Sequence, residues 1–98
     1  MKVDIQSIHF DADKKLEARI NTKVAKLTTF YDSILGANVN LRLDKSDTRD
    51  NKVAEIKILV NGNEMFAKRQ SNSFEEAFDQ SYEAIKAQII RHKEKIRV

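Results

Sequence analysis

The 98-residue chain has no cysteine, no proline and no tryptophan, and its only glycines are Gly36 and Gly62. Without cysteine there is neither a disulfide framework nor a thiolate metal centre. Without proline, and with glycine so rare, the chain lacks the punctuation of linkers and low-complexity segments, so a few long regular elements are expected. No apolar run approaches the ~18 residues of a membrane span. Met1 leads directly into a strand-like pattern, not a charged and then apolar leader, so no signal peptide is expected. These absences predict a soluble, cytoplasmic protein; a monomer is the expected state.

Catalytic equipment is also missing. There is no glycine-rich phosphate loop, no nucleophile motif and no metal-ligand spacing. The two histidines lie apart, His9 in the first apolar stretch and His92 on the core side of the last one, where a structural histidine is expected. Catalysis requires convergent groups of matched pKa, and none converge here, so an enzyme is not expected. No cofactor, metal or small-molecule substrate is implied. The segment DKSDTRDNK at 44–52 faintly resembles a calcium loop with Glu55 at position twelve, but Arg49 stands where the loop needs glycine and Lys52 where it needs a ligand. It reads as an ordinary loop.

What the sequence does have is charge: 18 Lys and Arg against 15 Asp and Glu, for a net +3 and an isoelectric point near 9.2. The excess hints at an anionic partner, and its distribution says more. In the last quarter Phe74, Ala77, Phe78, Tyr82, Ile85, Ile89 and Ile96 recur at three and four, which predicts a long core-facing helix. Ser73 and Glu76 form a capping-box pattern at its start. Glu75, Glu76, Asp79 and Glu83 occupy its first half; Lys86, Arg91, Lys93, Lys95 and Arg97 occupy its second. That sorting complements the helix dipole, at ~0.3–1 kcal/mol per charge, and so does not by itself require a partner.

An earlier helix, from about 14 to 31, is predicted by Leu16, Ile20, Val24, Leu27 and Tyr31, with Asp13 as its cap. Beside its apolar face Lys15, Arg19, Lys23 and Lys26 form one row. Like charges so placed cost ~0.2–0.5 kcal/mol per neighbouring pair, a repulsion that a polyanion would relieve; the plainer reading is a row of solvated lysines.

The remainder alternates. Residues 2–10 read as a strand whose phase shifts from Val3 and Ile5 to Ile8 and Phe10, as at a bulge. After a break at Gly36, Val39, Leu41 and Leu43 alternate with polar residues. Ala54, Ile56, Ile58 and Val60 share one face of a third strand, and Asn61-Gly62 is a strong signal for a two-residue hairpin turn. That turn fixes the register: Val60 opposite Asn63, Ile58 opposite Met65, Ile56 opposite Ala67, with Glu55 and Lys68 an opposite-charge pair on the other face. The resulting fold class is α+β, in the order β-α-β-β-β-α: a four-stranded mixed sheet, its first two strands parallel, with two helices packed on one face.

Three segments, KVAKLTTFYDSI at 23–34, VNGNEMFA at 60–67 and QIIRHKEK at 88–95, resemble in this order the ribosome hibernation promoting factors, a family that includes ribosome-associated inhibitors and was earlier named for sigma-54 modulation. The resemblance covers essentially the whole chain. It implies a single ribosome-binding domain over 1–98 that occupies the messenger and transfer RNA channel of the small ribosomal subunit and silences idle ribosomes. It also implies basic contacts at Lys23, Lys26, Arg91, Lys93 and Lys95. Where short members carry Lys and Arg on the last helix this chain has Ala84 and Ala87, and an early basic position on the first helix is Glu17; Lys86, Lys15 and Arg19 are the neighbouring cations that could compensate. The second domain with which long members join two ribosomes is not expected, nor is direct dimerisation of ribosomes.

The expected site is therefore an RNA-binding surface of Lys15, Arg19, Lys23, Lys26, Lys86, Arg91, Lys93 and Lys95. It has no stacking platform, since the aromatic residues other than Phe66 are mostly assigned to the core, and so suits structured RNA read by phosphates and shape. The rival expectation is a protein-binding regulator that uses the open sheet face around Lys57, Leu59, Glu64 and Phe66.

Overall fold

The computed structural model describes residues 2–8, 11–45 and 49–96, and everything stated below concerns these. His9, Phe10, Arg97 and the side chain of Ile96 lie outside the described positions. The chain forms β1 (Lys2–Ile8), α1 (Lys14–Lys26) running into a single 3-10 turn (Leu27–Thr29), β2 (Ile34–Leu43), β3 (Lys52–Val60), β4 (Asn63–Ser71) and α2 (Phe74–Ile96). The strands lie in sequence order in one sheet, β1 parallel to β2 and the remaining pairs antiparallel. This is the β-α-β-β-β-α fold that the alternation predicts.

Both helices bury one stripe against the same sheet face. Leu16, Ile20, Val24 and Leu27 from α1 and Ala77, Phe78, Tyr82, Ile85 and Ile89 from α2 meet Val39, Leu41, Ile56, Ile58 and Met65 of the strands in one core. Ser81 is the polar member of that layer: fully buried, it donates from Oγ to the Ala54 carbonyl of β3 at 2.8 Å. A buried hydroxyl needs such a partner, and this bond pins α2 to the middle of the sheet. At the other side of α2, Gln88 Nε2 donates to the Phe66 carbonyl of β4 at 2.8 Å.

The hairpin has the register that Asn61-Gly62 predicts, with Val60 opposite Asn63, Ile58 opposite Met65, Ile56 opposite Ala67 and Glu55 opposite Lys68. Gly62 sits at φ +77°, and a Cβ there would meet nothing within 4 Å. Any penalty for a side chain is therefore one of backbone conformation alone. Gly62→Val is expected to lower stability by about 1–2 kcal/mol or more in a denaturant titration, because a β-branched residue resists positive φ. An unchanged midpoint would contradict that turn geometry.

Several local details differ from the sequence reading. Glu55 lies across from Lys68, but its carboxylate accepts from Arg42, on the other neighbouring strand β2, at 3.0 Å. No bulge interrupts β1: its pairing with β2 is continuous from Lys2 to Ile8, so Ile8 points to the open face. The irregularity is in β2, between Ile34 and Gly36, and Gly36 is inside the strand instead of ending the preceding segment. At the start of α2 the Glu76 N–H donates to Ser73 Oγ at 3.1 Å, one half of the capping box, while the Glu76 carboxylate accepts from Gln80.

Candidate nucleic-acid interface

The two helices run side by side in the same direction. Contacts climb both together: Arg19 and Lys23 with Asp79, Lys23 with Tyr82, Phe30 with Lys86, Tyr31 with His92. The sequence fixes this pairing of heights. Asp13 starts α1, its Oδ1 accepting from the Leu16 N–H at 2.7 Å, and Ser73 starts α2. Each helix then follows its strand back across the sheet.

One consequence is that the basic row of α1 faces the acidic half of α2. Arg19 donates to Asp79 Oδ2 at 2.6 Å, and Lys23 Nζ lies 3.7 Å from Asp79 Oδ1. The hydrogen bond that Arg19 donates to Asp79, then the charges of Asp79 and Glu75, raise the Arg19 pKa above its ordinary value. Lys23 Nζ also stands 5.2 Å from the centre of the Tyr82 ring. Tyr82 is pushed up in turn, chiefly by burial and then by the charge of Glu83. The repulsion that the sequence reading assigned to a row of four cations is thus relieved for two of them from within the fold. Both partners of the Arg19–Asp79 pair keep more than a third of their side chains in water, so the pair stabilises the fold by only about 0.2–1 kcal/mol.

The remaining cations fall into three groups. Lys15 and Lys26 are exposed at the two ends of the row on α1, along a shallow groove that also includes Ala18 and Thr22. Lys86 and Lys93 are half-buried on the flank of α2 that faces the end of α1. There Lys86 Nζ lies 4.8 Å from the centre of the Phe30 ring, and Lys93 borders a cleft of about 360 Å³ with Thr28, Thr29, Tyr31 and Asp32. Thr28 and Thr29 donate their hydroxyl protons to the carbonyls of Ala25 and Lys26, so they close the helix end and leave the lysine to define the cleft. Arg91 and Lys95 project from the opposite flank, exposed, over the hairpin, where with Gln88, Asn63 and Glu64 they line a second cleft of about 320 Å³.

The eight cations therefore do not form one continuous surface. Arg19 and Lys23 share a carboxylate, Lys86 and Lys93 flank the turn that follows Lys26 at the end of α1, and Arg91 and Lys95 lie on the opposite flank of α2. His92 is half-buried and packs edge-on against Tyr31, ring centres 5.4 Å apart. The sequence reading did not identify Asp79 and Glu75 as part of this region. Their signal was present: acids at i and i+4 on α2 match Arg19 and Lys23 at i and i+4 on α1.

Among the described residues no group of His, Asp or Glu is arranged to hold a metal ion. No helix among them is long and apolar enough to cross a membrane. The open sheet face is mixed: Phe66 is half exposed, Lys57 and Leu59 are partly covered, and Asp4, Gln6, Asn38 and Asn40 form a polar patch with Lys57.

Two helices on one face of a four-stranded mixed sheet, with cations along the helix pair, define an α+β domain of known type. Residues 3–97 match the family described as sigma 54 modulation protein / S30EA ribosomal protein, and the chain belongs to that ribosome-associated family. Its structure is similar to that of a ribosomal subunit interface protein from Coxiella burnetii, with a TM-score of 0.83 at 14% sequence identity over 95% of this chain and 98% of that one. It is also similar to the N-terminal domain of Protein Y from Thermus thermophilus, with a TM-score of 0.81 at 19% identity over 94% and 99% of the two chains. At these identities the likeness establishes the fold. No curated protein matches the chain by sequence.

Proposed function

We propose that the chain is a non-catalytic, cytoplasmic translation inhibitor of the hibernation type: one ribosome-binding domain that contacts small-subunit ribosomal RNA in the messenger and transfer RNA channel. The observation that carries this reading is the set of cations around the C-terminal end of α1 and along the second half of α2, on a chain belonging to a ribosome-associated family. Lys26, Lys86, Lys93, Arg91 and Lys95 meet phosphates, and the geometry of a folded RNA, not its bases, selects the place. The interface protein and Protein Y that share the fold lend support through their names. The test is sedimentation with purified small subunits at moderate salt. Co-migration is expected; its absence sinks the reading.

Phe66, exposed at 49%, favours a second reading in which the open sheet face binds a regulatory protein. Replacing Phe66 and Leu59 together by Ser separates the two. Co-sedimentation with the small subunit is expected to survive this change, and its loss would move the site from the helices to the sheet.

A further inference from the structure

Asp79 lies where the proposed RNA surface has least use for a carboxylate. It comes from α2 and reaches across to α1, where its two oxygens face two different cations, Arg19 Nη2 at 2.6 Å and Lys23 Nζ at 3.7 Å. Asp79 Oδ1 is buried and has no hydrogen-bond partner, so the carboxylate holds Lys23 by charge at long range while its firm bond goes to Arg19. Neither cation is sealed off: the Arg19 side chain is 43% exposed and that of Lys23 30%. An arginine has five N–H donors and Asp79 takes one of the outer ones, so the others remain free to turn toward an anion in solvent.

We infer that Asp79 is a specificity-determining residue, which withholds Arg19 and Lys23 from polyanions in general and so confines strong binding to RNA that fits the cations around the end of α1. The inference rests on the RNA-binding reading above, and its physical content is competition. A phosphate approaching the middle of α1 meets a cation pair already partly neutralised, with Glu75 one turn earlier adding to the same negative field. Non-specific affinity for nucleic acid is almost wholly a count of phosphate contacts, so masking two cations lowers it directly. A folded RNA that engages Lys26, Lys86 and Lys93 by shape is affected much less. Specificity is a ratio of affinities, and weakening the wrong partner raises it as surely as strengthening the right one.

The experiment compares the intact chain with Asp79→Asn, which keeps the side-chain volume and removes the charge. Affinity is measured over a range of salt for an unrelated structured RNA, such as a bulk transfer RNA, and for purified small subunits. For the unrelated RNA Asp79→Asn is expected to bind up to about fivefold more tightly per released cation, the fold-change equivalent of one exposed ion pair. The slope of log affinity against log salt is expected to steepen by roughly 0.7–0.9 for each cation released. Small-subunit affinity changes less, so the ratio between the two falls. Asp79→Glu, which keeps the charge, restores the original slope. Asp4→Asn, on the open face of the sheet, loses the same charge and leaves the slope unchanged.

Weaker or unchanged binding of the unrelated RNA by Asp79→Asn would overturn the inference, as would an equal gain from Asp4→Asn. A melting curve of the Asn variant shows that the comparison is between folded proteins. The two failures are distinguishable. If the intact chain does not bind small subunits, the functional reading fails, while the response of the unrelated RNA to Asp79→Asn still reports on the mask itself.

Discussion

Phe78→Ala is expected to lower the stability of the domain by about 3–5 kcal/mol, the largest single effect of any substitution considered. Phe78 is fully buried in the second turn of α2 and is the largest of the fully buried side chains. The strands opposite it are held by their ladders and α2 is held by the Ser81 bond to Ala54, so the walls of the resulting cavity have little freedom to collapse. A domain of this size has roughly 5–15 kcal/mol of stability in all, so the loss takes about a fifth of it or more. In a thermal melt followed by circular dichroism the midpoint should fall by roughly 12–40 °C, from the usual 4–8 °C per kcal/mol for small domains. A fall of less than about 5 °C would mean that the helix settles onto the sheet after all.

The second large effect concerns binding. Lys26→Glu and Lys93→Glu are expected to weaken small-subunit binding with little change in folding, since neither residue has an acidic partner among the ion pairs of the described residues. Each lost phosphate contact should lower the slope of log affinity against log salt by roughly 0.7–0.9, a range established on DNA and applied to RNA as a guide. Lys45→Glu is the control, exposed in the loop after β2 and equal in charge change; Lys52 serves less well because it is half-buried as the first residue of β3. Equal losses at Lys45 and at the helices would mean that net charge alone matters. Lys23→Glu should behave differently from Lys26→Glu. It sets a new carboxylate beside Asp79, so it should also lower the melting temperature, a loss that Lys26→Glu does not share.

What could be read from the sequence divides along a physical line. Periodicity located both helices and their buried stripes, although α1 gives way at Leu27 to a 3-10 turn that ends at Thr29, before the expected end near 31, and Asn61-Gly62 fixed the whole register of β3 on β4, because a two-residue turn leaves no freedom in pairing. Patterns of this kind are set by neighbours close in the chain. The Asp79 pair with Arg19 joins residues 60 apart in sequence, and its existence depends on how two helices settle side by side, which no local pattern states. The acids on α2 had an adequate local explanation in the helix dipole, and that explanation hid their second role. The phase shift at Ile8 misled for the opposite reason. An apolar residue on an open face looks like a bulge when every apolar residue is assumed to point inward, although exposed apolar side chains are ordinary. The cations were individually legible, but their division into masked and unmasked groups was not.

The bond from Gln88 to the Phe66 carbonyl bears on how this protein behaves at high concentration. Val60 and Asn63 close the hairpin, so pairing alternates outward from them and the backbone groups of Phe66 point away from β3, toward the rim of the sheet. Such an unpaired rim is a template on which a foreign strand can add, the first step toward aggregation. Gln88 takes one of its free acceptors, and with Lys68 and Arg69 on the same strand the β4 rim is both occupied and charged. The opposite rim, β1, carries Lys2 and Asp4. A protein guarded in this way at both rims can accumulate to high concentration without its sheets joining.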